Sequence, residues 1–463
     1  MRHRLSLLGS AIAVAAITTS TPLAAQKLFP SDSVVKSILE KRVQTKRTFG
    51  VVVGLLDVDG SRRVLAAGSS GANGVPLDGN TVFEIGSITK TFTTTLLADM
   101  VLKGEVRLDD PVQKFLPGSV KVPARNGKQI TLVDLATQSS GLPRMPTNFK
   151  PKDPGNPYPD YGATAMYEFL NGYTLPRDIG EKYEYSNLGM GLLGDALALE
   201  LGKGYEEAVL ERVIRPLGMN DTRITLTPDL ERRLAPGHDQ QLRQVPNWDF
   251  DAIAPAGAIR STVNDMFKYL AANLDSTSRP LGRALALAHQ SRREAGTPTM
   301  TIGLAWHILK APGGGSITWH NGGTGGYRTF TGFDLAKHIG VVVLTNSAIG
   351  ADDIGFHLLD SLVPLTKPPQ AHHEITVARE VLAPYVGVYE IAPNFALTVT
   401  LEGDTLWMQP TGQGKVRAHP ESDHEFFITE ADVQIIFVKD ANGQVTGLVL
   451  RQSGQDAPGK KVK

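Results

Sequence analysis

The sequence predicts a large mixed α/β (α+β) region followed by a small all-β module, and three observations carry that prediction. Segments with helical 3–4 spacing alternate with β-branched apolar runs as far as Asn346. A polar, proline-rich stretch, Thr366 to His373, then breaks the pattern as a linker does. Beyond it only short strand-like runs between turn signals remain, a module of about 85 residues. The full length of 463 residues suits two or three domains of ~150 residues. The expected divisions are residues 1–25, 26–365, 366–376 and 377–463.

Taken in order, residues 1–25 read as an export signal. Arg2 and Arg4 supply positive charge, Leu5 to Ile17 is largely apolar, and Leu23-Ala24-Ala25 ends in small residues, so cleavage is expected after Ala25. The apolar run is shorter than the ~20 residues a bilayer span needs. The expected location is therefore periplasmic or secreted, with no membrane span in the mature chain. The chain has no cysteine, which removes disulfides, thiolate nucleophiles and cysteine-ligated zinc. Lys+Arg and Asp+Glu number 47 each, so there is no basic excess for a phosphate backbone and no nucleic-acid partner is expected.

After the signal, Ser33 to Gln44 predicts a helix through Val34, Val35, Ile38 and Leu39. Phe49 to Asp57 and Arg63 to Ala67 predict a hairpin turning at Asp57 to Ser61. A long helix follows, with Phe92, Leu96, Leu97, Met100 and Val101 on one face, its start near Gly86-Ser87 and its stop at Gly104. Six prolines between Pro143 and Pro159 exclude helix and central strand and predict an extended surface loop. Such a loop is either a passive insertion or a binding wall, with Arg144, Tyr158 and Tyr161 as contact groups. Further helices are expected at Leu188 to Leu201, Tyr205 to Ile214 and Val263 to Asn273, the last N-capped by Ser261 or Thr262. Ile339 to Asn346 predicts a buried strand. In the last module, strands are expected at Tyr385 to Tyr389, Ala396 to Leu401, Thr405 to Gln409, Glu425 to Ile428, Gln434 to Lys439 and Thr446 to Gln452.

Three short patterns could carry chemistry. A serine three residues before a lysine shares a helix face with it, so the amine can take the hydroxyl proton. The pattern occurs twice: Ser33-Val34-Val35-Lys36 reads as chance on a packing helix, whereas Ser87-Ile88-Thr89-Lys90 opens the long helix and is either a serine N-cap with an exposed lysine or a reactive pair where free N–H groups favour a developing anion. Tyr185-Ser186-Asn187 is the sole Tyr-x-Asn among eleven tyrosines; it is either a turn, or a phenol base with an amide that fixes a lysine and a substrate carbonyl. Trp319-His320-Asn321-Gly322-Gly323 is either a strand-end histidine in a Gly-rich turn, or a histidine before glycines on an edge strand, where a substrate backbone can approach a free N–H. His338, which opens an apolar strand, is assigned to structure, and His372-His373 to a solvated linker.

In this order the three patterns resemble the penicillin-recognising serine hydrolases: class C β-lactamases, DD-carboxypeptidases and related esterases. Longer segments are similar as well, among them Phe83 to Thr93, Gly104 to Val112, Leu132 to Pro143, Pro216 to Met219 and Ala256 to Thr262, so the resemblance spans about residues 45–350. It implies a β-lactamase/DD-peptidase fold, an antiparallel sheet flanked by helices. It also implies that Ser87 is the acylated nucleophile, that Lys90 and Tyr185 move its proton, and that Asn187 holds Lys90 and the substrate amide. The oxyanion would lie between the N–H groups of Ser87 and Gly323, with Gly322 beside it, and His320 would face the substrate carboxylate or the tyrosine oxygen. The last module resembles a small lipocalin-like β-barrel, through Tyr385-Val386-Gly387-Val388-Tyr389, Leu406-Trp407 and Gly447 to Leu450.

The function so implied is acyl-enzyme hydrolysis of D-Ala-D-Ala-type peptides or β-lactams, the partner being a peptidoglycan stem peptide, a β-lactam or an ester. An esterase or amidase of the same fold, or a non-hydrolysing penicillin-binding protein, is the alternative. No cofactor is implied and no metal is expected, since no histidine stands in a His-x-x-x-His or His-Glu-x-x-His spacing. One departure matters: the chain has no Lys-Thr-Gly, and a neutral histidine offers a substrate carboxylate less charge.

Overall fold

The β-branched run Ile339–Thr345 is a strand buried at every position, as such a composition demands of a strand covered on both faces. The computed structural model describes residues 27–72, 74–275, 281–367, 372–392, 395–412, 414–429, 433–452 and 455–463. The export signal at 1–25 and the centre of the linker at 368–371 lie outside the described residues.

The principal elements of the large region are helix α1 (Asp32–Gln44), strands β1 (Gly50–Leu56) and β2 (Arg62–Gly68), and helices α2 (Thr89–Leu102), α3 (Asn187–Glu200) and α4 (Val263–Leu274). Strands β3 (Arg293–Ala295), β4 (Thr297–Ile302), β5 (His307–Lys310), β6 (Ser316–Gly323), β7 (Arg328–Asp334) and β8 (Ile339–Thr345) follow, and then helix α5 (Asp352–Leu359). The strands form one sheet in the order β2-β1-β8-β7-β6-β5-β4-β3, antiparallel at every pair. The predicted hairpin is β1–β2, closed by the Asp57 N–H donating to Ser61 O at 2.9 Å.

Period-2 alternation sends the two faces of β1 and β8 into different cores. Val51, Val53, Leu55, Val341 and Val343 pack against Val35 and Leu39 of α1 and Ile354 and Leu358 of α5. Val52, Val342 and Leu344 enter the larger core, with Phe92, Leu96 and Leu97 of α2 and Phe267 and Leu270 of α4.

Helix α2 departs from the one-faced helix the sequence predicts: Thr89 through Met100 are all buried. Its threonines read as a polar face but satisfy their hydroxyls inside the protein. Thr93 donates to Pro255 O at 2.7 Å and Thr94 to Leu304 O at 2.8 Å, so burial costs them little. The predicted helix at Tyr205 to Ile214 changes pitch, being α over Tyr205–Val209 and π over Leu210–Ile214. Thr262 is the N-cap of α4, accepting from the Asp265 N–H. Residues 143–159 form neither helix nor strand, apart from an isolated bridge between Tyr158 and Phe250.

The last module is a closed eight-stranded antiparallel barrel: β9 (Gly387–Ala392), β10 (Phe395–Glu402), β11 (Thr405–Pro410), β12 (Val416–Pro420), β13 (Glu425–Ile428), β14 (Val433–Lys439), β15 (Val445–Gln452) and β16 (Gln455–Lys461). Strands β12 and β16 were not expected from the sequence, and Tyr385, expected in a strand, ends the 3-10 turn Ala383–Tyr385. β16 closes the barrel onto β9 through Tyr389 and Lys461, and its Gln-Asp-Ala-Pro-Gly-Lys-Lys run has no apolar alternation to reveal it. The interior is filled by Tyr385, Tyr389, Leu397, Met408, Phe426 and Phe437, among others. His372 is not a solvated linker residue: its Nδ1 meets Glu421 Oε2 at 2.7 Å and its ring stacks on Phe427.

Candidate active site

The short strand Phe83–Glu84 pairs with Arg260–Ser261 and delivers the chain to Gly86, whose φ of 52° lies in the left-handed region that glycine tolerates. A one-turn 3-10 helix, Gly86–Ile88, then runs into α2. This sharp entry leaves Ser87 half-buried at the mouth and Lys90, one turn on, with no exposure. Lys90 Nζ lies 2.9 Å from Ser87 Oγ and donates to Ala256 O at 2.6 Å. Burial, with the charge of Arg144 second, holds the Lys90 amine well below the ordinary lysine range. The other Ser-x-x-Lys is unlike it: Ser33 is exposed, and Lys36 faces Glu40 on the surface of α1.

Strand β6 brings the glycines to this turn. A Cβ on Gly86 would stand 2.6 Å from Gly323 N, and one on Gly322 1.9 Å from Ile85 O. Only glycine at these positions lets β6 and the Ser87 turn pass backbone to backbone. The sequence reading of an edge strand needs correction, since β6 is flanked by β7 and β5. Its register with β5 nevertheless ends at Trp319, whereas pairing with β7 continues to Gly323. Residues 320–323 therefore form a free edge within an interior strand.

Tyr185 reaches the same place from the segment before α3. Ser186 is the N-cap of α3, its Oγ accepting from the Gly189 N–H at 2.8 Å and donating to Pro143 O at 2.6 Å, so the middle residue of Tyr-Ser-Asn is structural. The Tyr185 ring sits 4.7 Å from Lys90 Nζ, and the nearby Ser87 hydroxyl offsets part of the effect of burial on its phenol. Burial pushes the phenol up, which keeps it protonated.

Asn187 corrects one expectation. It forms no hydrogen bond with Lys90; Nδ2 points at Met145 Sδ, 3.8 Å away, and the buried Oδ1 has no partner among the described residues. His320 is buried on β6 with its ring 6.4 Å from that of Tyr185, and its Nδ1 is 2.6 Å from Asn321 O. Burial, then the neighbouring His307 and Lys90, hold it well below the ordinary histidine range, so it is a neutral imidazole at pH 7.

These groups line or underlie a cleft of roughly 540 Å³. One wall is aromatic: Tyr158 stacks on Phe250 at 4.8 Å and meets Trp248 edge-on at 5.1 Å. The proline-rich loop thus contributes Arg144 and Tyr158 to the cleft, whereas Tyr161 turns into the core and donates to Asn148 Oδ1. Sequence reasoning missed Trp248, Phe250, His307 and Arg328, which non-local pairing brings in. His307 Nε2 meets the Tyr183 hydroxyl at 2.9 Å, and burial pushes its imidazole down to about 4. Asn321 Nδ2 donates to Asp352 Oδ2 at 2.6 Å, and burial raises that carboxyl to about 6.

A larger hollow of roughly 800 Å³ beside Asp134 and Asp178 contains no serine or lysine pair, and its Arg293 is bound to Asp134. Among the described residues, no group of three or more His, Asp or Glu side chains is placed to hold a metal ion, and no helix is long and apolar enough to cross a membrane.

The family profile described as Beta-lactamase matches residues 35–358, and one described as a domain of unknown function, DUF3471, matches residues 371–461. Over 311 residues the chain is 32% identical to the D-alanyl-D-alanine-carboxypeptidase/endopeptidase AmpH of Escherichia coli (strain K12), which covers 64% of this chain and 79% of that protein. It is 28% identical over 307 residues to a beta-lactamase of the same strain, covering 58% of this chain and 77% of that one. The solved beta-lactamase/D-alanine carboxypeptidase from Pseudomonas syringae shares the fold, with a TM-score of 0.63 at 21% identity over 72% of this chain and 99% of that one.

Proposed function

The chain belongs to the beta-lactamase family and is an enzyme of serine-hydrolase type, and from that premise we propose that it acylates Ser87 with peptides ending in D-Ala-D-Ala and with β-lactams that resemble them. The observation that carries this reading is the Lys90–Ser87 pair, a fully buried amine 2.9 Å from a hydroxyl at the mouth of a cleft. Burial favours the neutral amine, so Lys90 Nζ takes the Ser87 proton as Oγ bonds to the substrate carbonyl carbon. The carbonyl oxygen receives the electron pair and is held by the N–H groups of Ser87 and Gly323, each such donor contributing ~2.7–4 kcal/mol. Collapse restores the C=O bond and breaks the C–N bond. The departing amine takes the phenolic proton of Tyr185, which Lys90 replaces. Water then attacks the acyl carbon and Oγ leaves with a proton. Asn187 Oδ1, without a partner among the described residues, is available to accept from a substrate amide N–H.

A second reading, hydrolysis of uncharged esters, is favoured by the neutral, buried His320 in the third motif. Intact-protein mass spectrometry of the chain with a penicillin, beside Ser87→Ala, tests the assignment. An adduct on the wild type alone is expected; persistence would mark a DD-peptidase-like enzyme, and rapid loss with drug consumption a β-lactamase. No adduct and no drug consumption would direct the substrate search to short-chain esters.

A further inference from the structure

Trp248 stands in the wall of the cleft without a secondary structure to hold it there. Residues 246–249 are neither helix nor strand, yet both polar groups of the Trp248 backbone are bound. Its N–H donates to Glu84 Oε1 at 2.9 Å, and its carbonyl accepts from Arg260 Nη2 at 2.6 Å. Glu84 and Arg260 face each other in the short pairing of Phe83–Glu84 with Arg260–Ser261, with Glu84 Oε1 3.5 Å from Arg260 Nη2. Both side chains are buried.

A buried ion pair is weak evidence for stability, because the loss of hydration offsets the attraction between the charges. Burial raises the Glu84 carboxyl, and Arg260 opposes that rise only in part. The hydrogen bonds of the pair converge instead on one segment and its neighbours. Arg260 Nη1 donates to Ile224 O at 2.7 Å, and Nη2 also reaches Asp249 Oδ1 at 3.3 Å. Asp249 in turn exchanges two hydrogen bonds, of 2.8 and 2.9 Å, with Asn156 on the proline-rich loop. On its other side the indole lies against the turn after β6, where a Cβ on Gly325 would stand 2.7 Å from Trp248 Nε1. Trp248 thus bridges the loop and the glycine-rich end of β6, and what grips its backbone begins three residues before the nucleophile.

We propose that Glu84 and Arg260 are positioning residues that fix Trp248, and with it the aromatic wall, relative to Ser87. Neither side chain lines the cleft, so both act through the Trp248 backbone: the carboxylate holds the N–H, the guanidinium holds the carbonyl, and the chain cannot turn between them. Charge-assisted hydrogen bonds of this kind are stronger than neutral ones, which suits a segment with no ladder of its own. The strand Phe83–Glu84 leads into the Ser87 turn and carries one half of the clamp, so wall and nucleophile share a single reference. An acyl group long enough to reach the wall is then held in line with Ser87 Oγ, and one too short to reach it gains nothing from the clamp. This inference rests on the Ser87 acylation reading and adds to it the residues that set the shape of the cleft.

The test compares p-nitrophenyl phenylacetate with p-nitrophenyl acetate, which share a leaving group and differ in reach. In each the Ser87 Oγ–C bond forms, the ester C–O bond breaks and p-nitrophenolate departs, to be read by its colour; water then frees Ser87. The full chain is expected to prefer the phenylacetyl ester by about 5- to 30-fold in kcat/KM. Trp248→Ala should bring that ratio to within about threefold, whatever the absolute rates. Glu84→Gln should lower it likewise, and Glu84→Gln added to Trp248→Ala should change it no further, because both act through one side chain. A loss of folded enzyme lowers both rates alike and leaves the ratio where it was. Arg260→Lys, which keeps the charge but not the fork that reaches the Trp248 and Ile224 carbonyls together, should also lower the ratio, and it serves where Glu84→Gln does not fold. No preference in the wild type, a preference that survives these substitutions, or additive effects of Glu84→Gln and Trp248→Ala overturns the positioning role while leaving acylation intact. If neither ester is cleaved faster by the wild type than by Ser87→Ala, the nucleophile assignment falls and the positioning role with it.

Discussion

Lys90 owes its neutral form to where it is, and Arg144 is part of that place. The Arg144 guanidinium lies 5.0 Å over the Tyr185 ring, and its charge adds to burial in holding the Lys90 amine down. The sign of its removal follows: without a nearby cation the ammonium form becomes cheaper and the pKa of Lys90 rises. In the proposed acylation the neutral amine is the base, so activity should be present above that pKa and lost as pH falls through it. Arg144→Gln should therefore move the acid limb of kcat/KM to higher pH, and Arg144→Lys should leave the limb near its wild-type position. A pH profile on an uncharged ester, which does not itself titrate, reads this directly; an unmoved limb in Arg144→Gln would remove Arg144 from the account. The substitution spares the Arg144 carbonyl that accepts the Asn187 N–H, so the start of α3 is retained.

Between elements, the decisive contact is that of the Ser87 turn with β6. Gly322 faces Ile85 O so closely that a methyl group has nowhere to go, with Thr329 Oγ1 at 2.3 Å on the other side. Gly322→Ala should cost ~1–3 kcal/mol, as overpacking does, and should slow acylation by more than about 100-fold, since the strand carrying Gly323 must withdraw from Ser87. Gly118→Ala, where a Cβ meets nothing within 4 Å, is the matched control; urea titration and adduct formation report the two effects. This contact also explains what could be read from the chain. Ser87 and Lys90 were legible because a helix repeats locally, and the glycines after His320 because a close approach demands them. Trp248, Phe250, His307 and Arg328 carried no local signal, since each becomes part of the site only through pairing with distant segments. The burial of α2 on every side was hidden by threonines whose acceptors lie on other elements.

At the scale of the whole molecule the hydrophobic side chains divide into separate clusters. Two cover the faces of the large sheet, and the third, inside the barrel, shares no residue with them. In the barrel only strands with apolar alternation were foreseen; β12 and β16 are dictated by closure, a property of the ring of strands rather than of any one of them. A barrel with its own filled core should unfold as its own unit. Phe437 tests this: it is 3% exposed, stacks on Tyr385 at 4.1 Å and meets the edges of Phe426 and Tyr389 at 5.6 Å. Phe437→Ala should cost the barrel ~3–5 kcal/mol through lost burial and the cavity left behind. In scanning calorimetry one transition should then fall by at least ~10 °C while the other keeps its midpoint, and the rate of adduct formation at Ser87 should not change. A joint fall of both transitions would show that the two cores melt together, and that the catalytic sheet depends on the barrel for more than its covalent attachment.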